Sequence, residues 1–330
     1  MRIFVTGGAG FIGSHLVDRL VNTGTVTVYD SLSSGKKEFI EHHLDRNGFA
    51  FVQADLLESD TLRKAMQSHD VVFHMAANPE ARWGIQNTRL DLEQETIATY
   101  NILEAMRVNE IKQIVFASSG TIYGETPVMP IPEDYGPVLP ISLYGAGKLA
   151  SEGLVSAFCG TFAMQAWIFR FANIVGKRAT HGVILDFIQK LKQNPSELEI
   201  LGDGNQCKPY LHIEDCVEGI LFAFKNSLDK LNIFNLGCSS VTDVNTIARM
   251  LVEEMGLRGV SFKYTGGDRG WPGDVPQVRL NVAKINRLGW KAGYTSDEAV
   301  KKAIREMLGK EEDASGYSRW RSSHQTEAIN

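Results

Sequence analysis

Cysteine is scarce: Cys159, Cys207, Cys216 and Cys238 are the four in 330 residues, with no CxxC pair and no zinc-like spacing. That excludes a disulfide scaffold and a cysteine zinc centre, and it predicts free buried thiols in a reducing compartment. No run of about 18 apolar residues occurs, so no membrane span is expected. Basic blocks are missing too. Lys and Arg number 34 against 39 Asp and Glu, a net charge of −5, which lacks the electrostatic footprint of a nucleic-acid binder. The eight histidines suggest no metal cluster, and no metal is expected. Strand-like sequence (MRIFVTGG) starts almost at Met1, so no signal or transit peptide is expected and the cytoplasm is the predicted location.

What remains is an ordinary globular composition, 43% hydrophobic and 22% charged, which excludes disorder across the whole chain. In the first half, short apolar runs alternate with stretches of three- and four-residue apolar spacing. Strands are predicted over 2–6, 25–29, 50–54, 71–75, 113–118 and 165–169, and helices over 11–21, 59–68, 92–108 and 144–158. This alternation implies an α/β fold with a doubly wound (Rossmann) parallel sheet, whose ligands bind beyond the carboxyl ends of the strands. The second half is punctuated by Pro and Gly, with helices predicted over 181–193, 215–225, 244–255 and 295–308. We expect a dinucleotide-binding domain over 1–171 and a smaller mixed α/β domain over 172–308, some of whose segments return to the first. A loosely ordered polar tail is expected over 309–330.

The first strand runs into TGGAGFIG, Thr6 to Gly13. Gly8, Gly10 and Gly13 fit G-x-G-x-x-G, and Gly7, Gly10 and Gly13 fit G-x-x-G-x-x-G. Glycine is required where the backbone turns tightly, approaches a pyrophosphate, or lets helix meet strand. The following helix aims unpaired N–H groups at phosphates. A tight turn without ligand is the plain alternative. Asp30 ends the second strand, where a carboxylate accepts from an adenosine ribose 2′-OH and repels a 2′-phosphate, favouring NAD over NADP. The plain alternative is a helix N-cap or turn aspartate before Ser31, Leu32, Ser33, Ser34 and Gly35, and Lys36 and Lys37 weaken the exclusion of NADP. Asp55 and Leu56, after the third strand, are placed either to hold an adenine edge or to make a strand-end turn.

Tyr144 and Lys148 are four apart in YGAGK and share a helix face. A nearby ammonium stabilises a phenolate, so such a tyrosine can act as general base toward an alcohol near neutral pH. A surface helix pair is the plain reading of these two alone. Ser118 and Ser119 end the strand QIVFASS, either to hydrogen-bond a reacting oxygen beside Tyr144 or to cap the strand end.

Together these motifs resemble the extended short-chain dehydrogenase/reductases, in the NAD-dependent nucleotide-sugar epimerase/dehydratase branch, and are most similar to its UDP-glucose 4-epimerases. His74-Met75-Ala76-Ala77, Phe169 to Asn173, Pro209 to Ile213 and Gly273 to Pro276 match further pieces, so the similarity runs from about Met1 to Leu308. The resemblance implies a tightly held, reused NAD and a transient 4-keto sugar, with Tyr144 as base, Ser119 as catalytic serine and Lys148 as pKa-lowering and ribose-binding lysine. It adds Phe11, Ile12, Ser31, Ser33, Ser34, Gly35, Ala76, Ala77 and Ser118 to the cofactor residues. It implies a UDP-sugar substrate contacted by Asn173 and Arg82, and a homodimer through the helices over 92–108 and 144–158. For Asn173 the plain alternative is a strand-end turn, and for Arg82 an exposed loop arginine.

Related 4,6-dehydratases carry an Asp-Glu pair after the catalytic serine or threonine, and sugar-acid decarboxylases a glutamate. Here Gly120 and Thr121 follow, which favours simple epimerisation over the retained keto product of a dehydratase; a 4-keto-sugar reductase, which would consume reduced cofactor, is the other alternative. Several positions depart from the family. Lys208 stands for a phosphate-binding arginine and lacks its two-pronged fork. Ahead of Gly273, either Arg269 serves from a shifted place or Trp271 stacks on a base. Glu95 stands where an asparagine is common. These departures bear on the nucleotide and sugar, leaving open N-acetylhexosamine or uronate substrates. Lys177 and Arg178 either attract a diphosphate or are solvated, and His74 reads as a packed structural histidine.

Overall fold

The computed structural model describes residues 1–310; the tail predicted over 309–330 lies, from residue 311 on, outside the described residues. Six strands follow the predicted alternation: β1 (Arg2–Thr6), β2 (Thr25–Asp30), β3 (Phe49–Gln53), β4 (Val71–His74), β5 (Gln113–Ser119) and β6 (Gln165–Phe171). A seventh, Leu231–Leu236, joins the sheet beside β6. The order is β3-β2-β1-β4-β5-β6 and then Leu231–Leu236, all parallel. Ile3, Phe4 and Val5 are fully buried, as expected of a strand covered on both faces. The order reverses between β1 and β4, which opens a crevice at their carboxyl ends.

α1 (Phe11–Leu20) covers one face of the sheet together with the helix Ile213–Asn226. Leu16, Val17 and Leu20 share one core with Cys216, Val217, Ile220 and Ala223, so a helix from the second half belongs to the first-half packing. The opposite face is covered by α2 (Ser59–Ala65), Ala98–Val108 and Leu143–Phe162. A separate core unites Val183–Gln193, Val244–Glu254 and Ser296–Met307.

Two predicted helices differ from the structure, and one strand of the sheet is unforeseen. The helix expected over 92–108 is a longer helical run, Thr88–Asp91 and Ala98–Val108 joined by a π-helical segment, Leu92–Ile97. The helix expected from His181 starts at Val183, because Gly182 at φ 103° breaks the helical path before it. The strand Leu231–Leu236 was not predicted, since Asn232 and Asn235 interrupt its apolar pattern. Both are buried and satisfied: Asn235 donates to the Ile131 and Asn281 carbonyls at 2.9 and 3.1 Å, and Asn232 to the Ala166 carbonyl at 3.2 Å. No helix among the described residues is long and apolar enough to cross a membrane.

Candidate active site

The glycine loop leaves β1 and turns into α1. Gly7 has φ 68°, and a Cβ on it would lie 2.5 Å from the Ala76 nitrogen. A Cβ on Gly13 would lie 2.0 Å from the Gly7 carbonyl oxygen. No side chain fits at either place, so at these two points the loop presents backbone alone. Gly10 caps α1 with no side-chain bond, and the first turn holds no acidic residue. The open N–H groups and the positive helix end suit an anionic diphosphate.

Asp30, at the end of β2, accepts from Ala9 N–H at 2.9 Å and Leu32 N–H at 2.8 Å. It therefore makes the local turn and also faces the cleft. Burial pushes its carboxyl above the usual range, against those two N–H bonds. Gly7, Gly10, Phe11, Ile12, Gly13, Asp30, Ser31, Ser33, Ser34, Gly35, Asp55, Leu56, Ala76, Ala77, Ser118, Tyr144 and Lys148 all line this one cavity. A side-chain-free cradle, an uncapped helix start and a carboxylate at the second strand end fit a dinucleotide with a free 2′-hydroxyl.

The helix Leu143–Phe162 begins at Ser142, whose hydroxyl accepts from Gly145 N–H at 3.1 Å. Tyr144 and Lys148 follow on one face. The Lys148 ammonium is buried, donating to the Ala117 carbonyl at 2.9 Å and pairing with Glu95 at 2.8 Å. Burial and the Glu95 charge hold the Tyr144 phenol above its ordinary pKa, while a hydrogen bond with Ser119 pulls it down. The two serines separate in role. Ser118 donates inward to Glu152 at 2.5 Å, and Arg170 holds that carboxylate at 3.1 and 2.8 Å. Ser119 accepts from Thr121 N–H at 3.2 Å and from the Thr121 hydroxyl at 2.9 Å, and faces a second cavity.

That second cavity adjoins the first, and Tyr144 lines both. Arg82, Ser119, Asn173 and Lys208 line it; Lys208 is ion-paired with Asp274. Arg269 is not among its lining residues. Its guanidinium donates to the Asp274 carbonyl at 2.8 Å and to Glu125 at 2.5 Å, whereas Trp271 lines the wall. Arg82 is held by Glu80 through two bonds, Nε at 2.9 Å and Nη2 at 2.6 Å.

His74 is buried between the Thr6 hydroxyl at 2.9 Å and the Thr99 hydroxyl at 3.1 Å, and burial holds its imidazole down to about 3. Arg178 turns to Asp18 at 2.8 Å, tying the second half of the chain to α1. The structure does bring Asp18, His42 and His43 within ligand-like distance, a grouping that sequence reading did not foresee. Its carboxylate is already bonded to Arg178, His42 and His43.

Sequence reasoning assigned no supporting role to four side chains: Asn78, Glu80, Glu95 and Glu152. Glu152 carried a signal, since it lies one turn beyond Lys148 on the same helix face. Glu95 carried one as a departure from the common residue, without any hint of its partner.

The sequence profile of the NAD dependent epimerase/dehydratase family matches residues 3–237. A protein described as a putative UDP-glucose 4-epimerase, from Methanocaldococcus jannaschii, is 35% identical over 312 residues, 92% of this chain and 98% of its own length. A crystal structure of UDP-galactose 4-epimerase superposes with a TM-score of 0.84 at 40% identity, over 94% of this chain and 99% of that one. The Thermus thermophilus UDP-glucose 4-epimerase, solved in complex with NAD, superposes at 0.83 with 29% identity, over 94% and 99%.

Proposed function

This chain belongs to the NAD dependent epimerase/dehydratase family, and from that premise we propose that it is a UDP-sugar 4-epimerase interconverting UDP-glucose and UDP-galactose. One observation carries the reading: Tyr144 stands where the dinucleotide cleft meets the second cavity. The glycine loop and Asp30 would hold NAD in the first cleft, where it would supply a reversible acceptor for the sugar C4 hydride and so allow a transient 4-keto form. Tyr144 accepts the proton of the sugar 4-hydroxyl and later gives it back. Ser119 hydrogen-bonds that oxygen, and Lys148 supports the phenolate and a ribose hydroxyl. Asn173 and Lys208 contact the sugar diphosphate. Gly120 and Thr121 offer no acid–base pair for eliminating water, which favours return of the hydride over a retained ketone.

The Glu80 carboxylate takes the Nε and one Nη2 donor of the Arg82 guanidinium and offsets its charge. A uronate would meet an already neutralised arginine, so a neutral hexose is the better partner. Exposed Leu92, Ile97, Tyr100 and Val108 lie along one helical run, and Leu143 lies on the neighbouring helix. This apolar surface supports a homodimer paired through those helices. The four free cysteines fit a reducing, cytoplasmic setting.

Purified protein incubated with UDP-galactose or UDP-glucose is expected to yield the 4-epimer without net consumption of reduced cofactor. Denaturing it should release NAD, identified by mass. The N-acetylhexosamine and uronate analogues belong in the same assay. No epimer from any of the sugars, or stoichiometric loss of reduced cofactor, overturns the proposal.

A further inference from the structure

Glu95 lies in the π-helical segment Leu92–Ile97, a wide turn of a kind often found at functional sites. Its side chain is buried, 1% exposed. One carboxylate oxygen accepts from Asn78 N–H at 2.9 Å, and the other meets the Lys148 ammonium at 2.8 Å. Its backbone carbonyl accepts the hydroxyls of Thr99 at 2.6 Å and Ser151 at 3.1 Å. Gly147 lets the two helices close on this point, since a Cβ there would come 2.8 Å from the Glu95 Cβ. Backbone, side chain and neighbouring helix thus fix one position for the carboxylate.

We propose that Glu95 is a positioning residue for the Lys148–Tyr144 couple: it pins the ammonium against the Ala117 carbonyl and offsets its charge beside the phenol. The assignment rests on Tyr144 being the proton acceptor. Lys148 Nζ lies 5.7 Å from the Tyr144 ring centroid, close enough for its charge to be felt there. Pairing that charge with a carboxylate weakens its pull on the phenol.

The other titratable groups nearby do not take this place. Asp91 accepts from Asn78 Nδ2 at 2.8 Å and makes no ion pair with Lys148, and burial pushes its carboxyl up. His74 is held neutral between its two threonines. Burial pushes Glu95 itself up to about 7, against the pull of Lys148 and the Asn78 N–H. The offset is therefore strongest above neutral pH.

The test is a direct titration of the Tyr144 phenol in the NAD-loaded protein, by ultraviolet difference absorption, with Tyr144→Phe as the blank. Glu95→Gln and the shorter Glu95→Asn both remove the charge; either suffices if the other fails to fold. Each is expected to ionise Tyr144 about one to two pH units below the wild type. The acid limb of the kcat profile should move the same way. A midpoint that stays at the wild-type value, or rises, overturns the proposal and leaves Glu95 a packing residue. The titration needs no turnover. An inactive wild type would strike the functional reading alone, whereas an active wild type with unmoved midpoints strikes this one alone.

Discussion

His74 takes no proton in the folded protein until about pH 3, while an unfolded histidine takes one near 6.5. Below 6.5 the unfolded chain therefore binds more protons, and native stability falls with falling pH, by roughly 1.4 kcal/mol per unit from this group. In His74→Gln the loss between pH 6.5 and 5 should shrink by about 1–2 kcal/mol, read from denaturant unfolding at the two pH values. At the reaction centre, Tyr144→Phe should keep its NAD and lose about 10²–10⁴ in turnover, measured by product formation with the bound nucleotide quantified alongside. Tyr144, Lys148 and the glycines were legible in the sequence because their geometry is local, set by one helix face and one tight turn. Glu95 and Glu152 were not, because burial and a partner from another element give them their roles. Arg269 shows the converse: its type suited a phosphate, but the fold turns it to Glu125 and the Asp274 carbonyl.

α1 depends on the absence of side chains at its entrance. Gly13→Ala would force a Cβ against the Gly7 carbonyl, so the turn must open and the N–H groups lose their aim. We expect NAD to bind more than about tenfold more weakly, measured by calorimetry, with most of the fold retained. Farther from the site, Glu306 on the helix Ser296–Met307 meets His212 at 3.2 Å and the Lys177 N–H at 3.0 Å. These partners hold its carboxyl down to about 2 despite burial. A depressed carboxyl stabilises the fold above its unfolded value near 4.5, and that contribution disappears as pH falls through about 2. Glu306→Gln should therefore cost on the order of 2–3 kcal/mol at pH 7 and little at pH 2, followed by thermal melting. Strands β1, β4, β5 and β6 could be read from their continuous apolar runs, which both-face burial produces, and β2 and β3 from shorter or alternating ones. The seventh could not, because its asparagines look like turn residues until the carbonyls that receive them are seen. The π-helical segment was equally hidden, since its apolar spacing differs little from that of an ordinary helix.

For the whole molecule, the exposed apolar residues on the paired helices make solution mass the decisive measurement. The wild type is expected as a dimer, and Ile97→Glu combined with Tyr100→Glu as a monomer by light scattering. The sheet binds the two halves of the chain more tightly than a division near residue 171 suggests. Leu231–Leu236 completes it, and the helix Ile213–Asn226 closes the core over α1. During synthesis, β6 must wait with an open edge until some sixty-five further residues have left the ribosome. A chain halted in that interval presents an unpaired hydrophobic strand, the template on which aggregates grow. Premature truncation should thus yield material that chaperones or proteases must clear, and no functional half-enzyme.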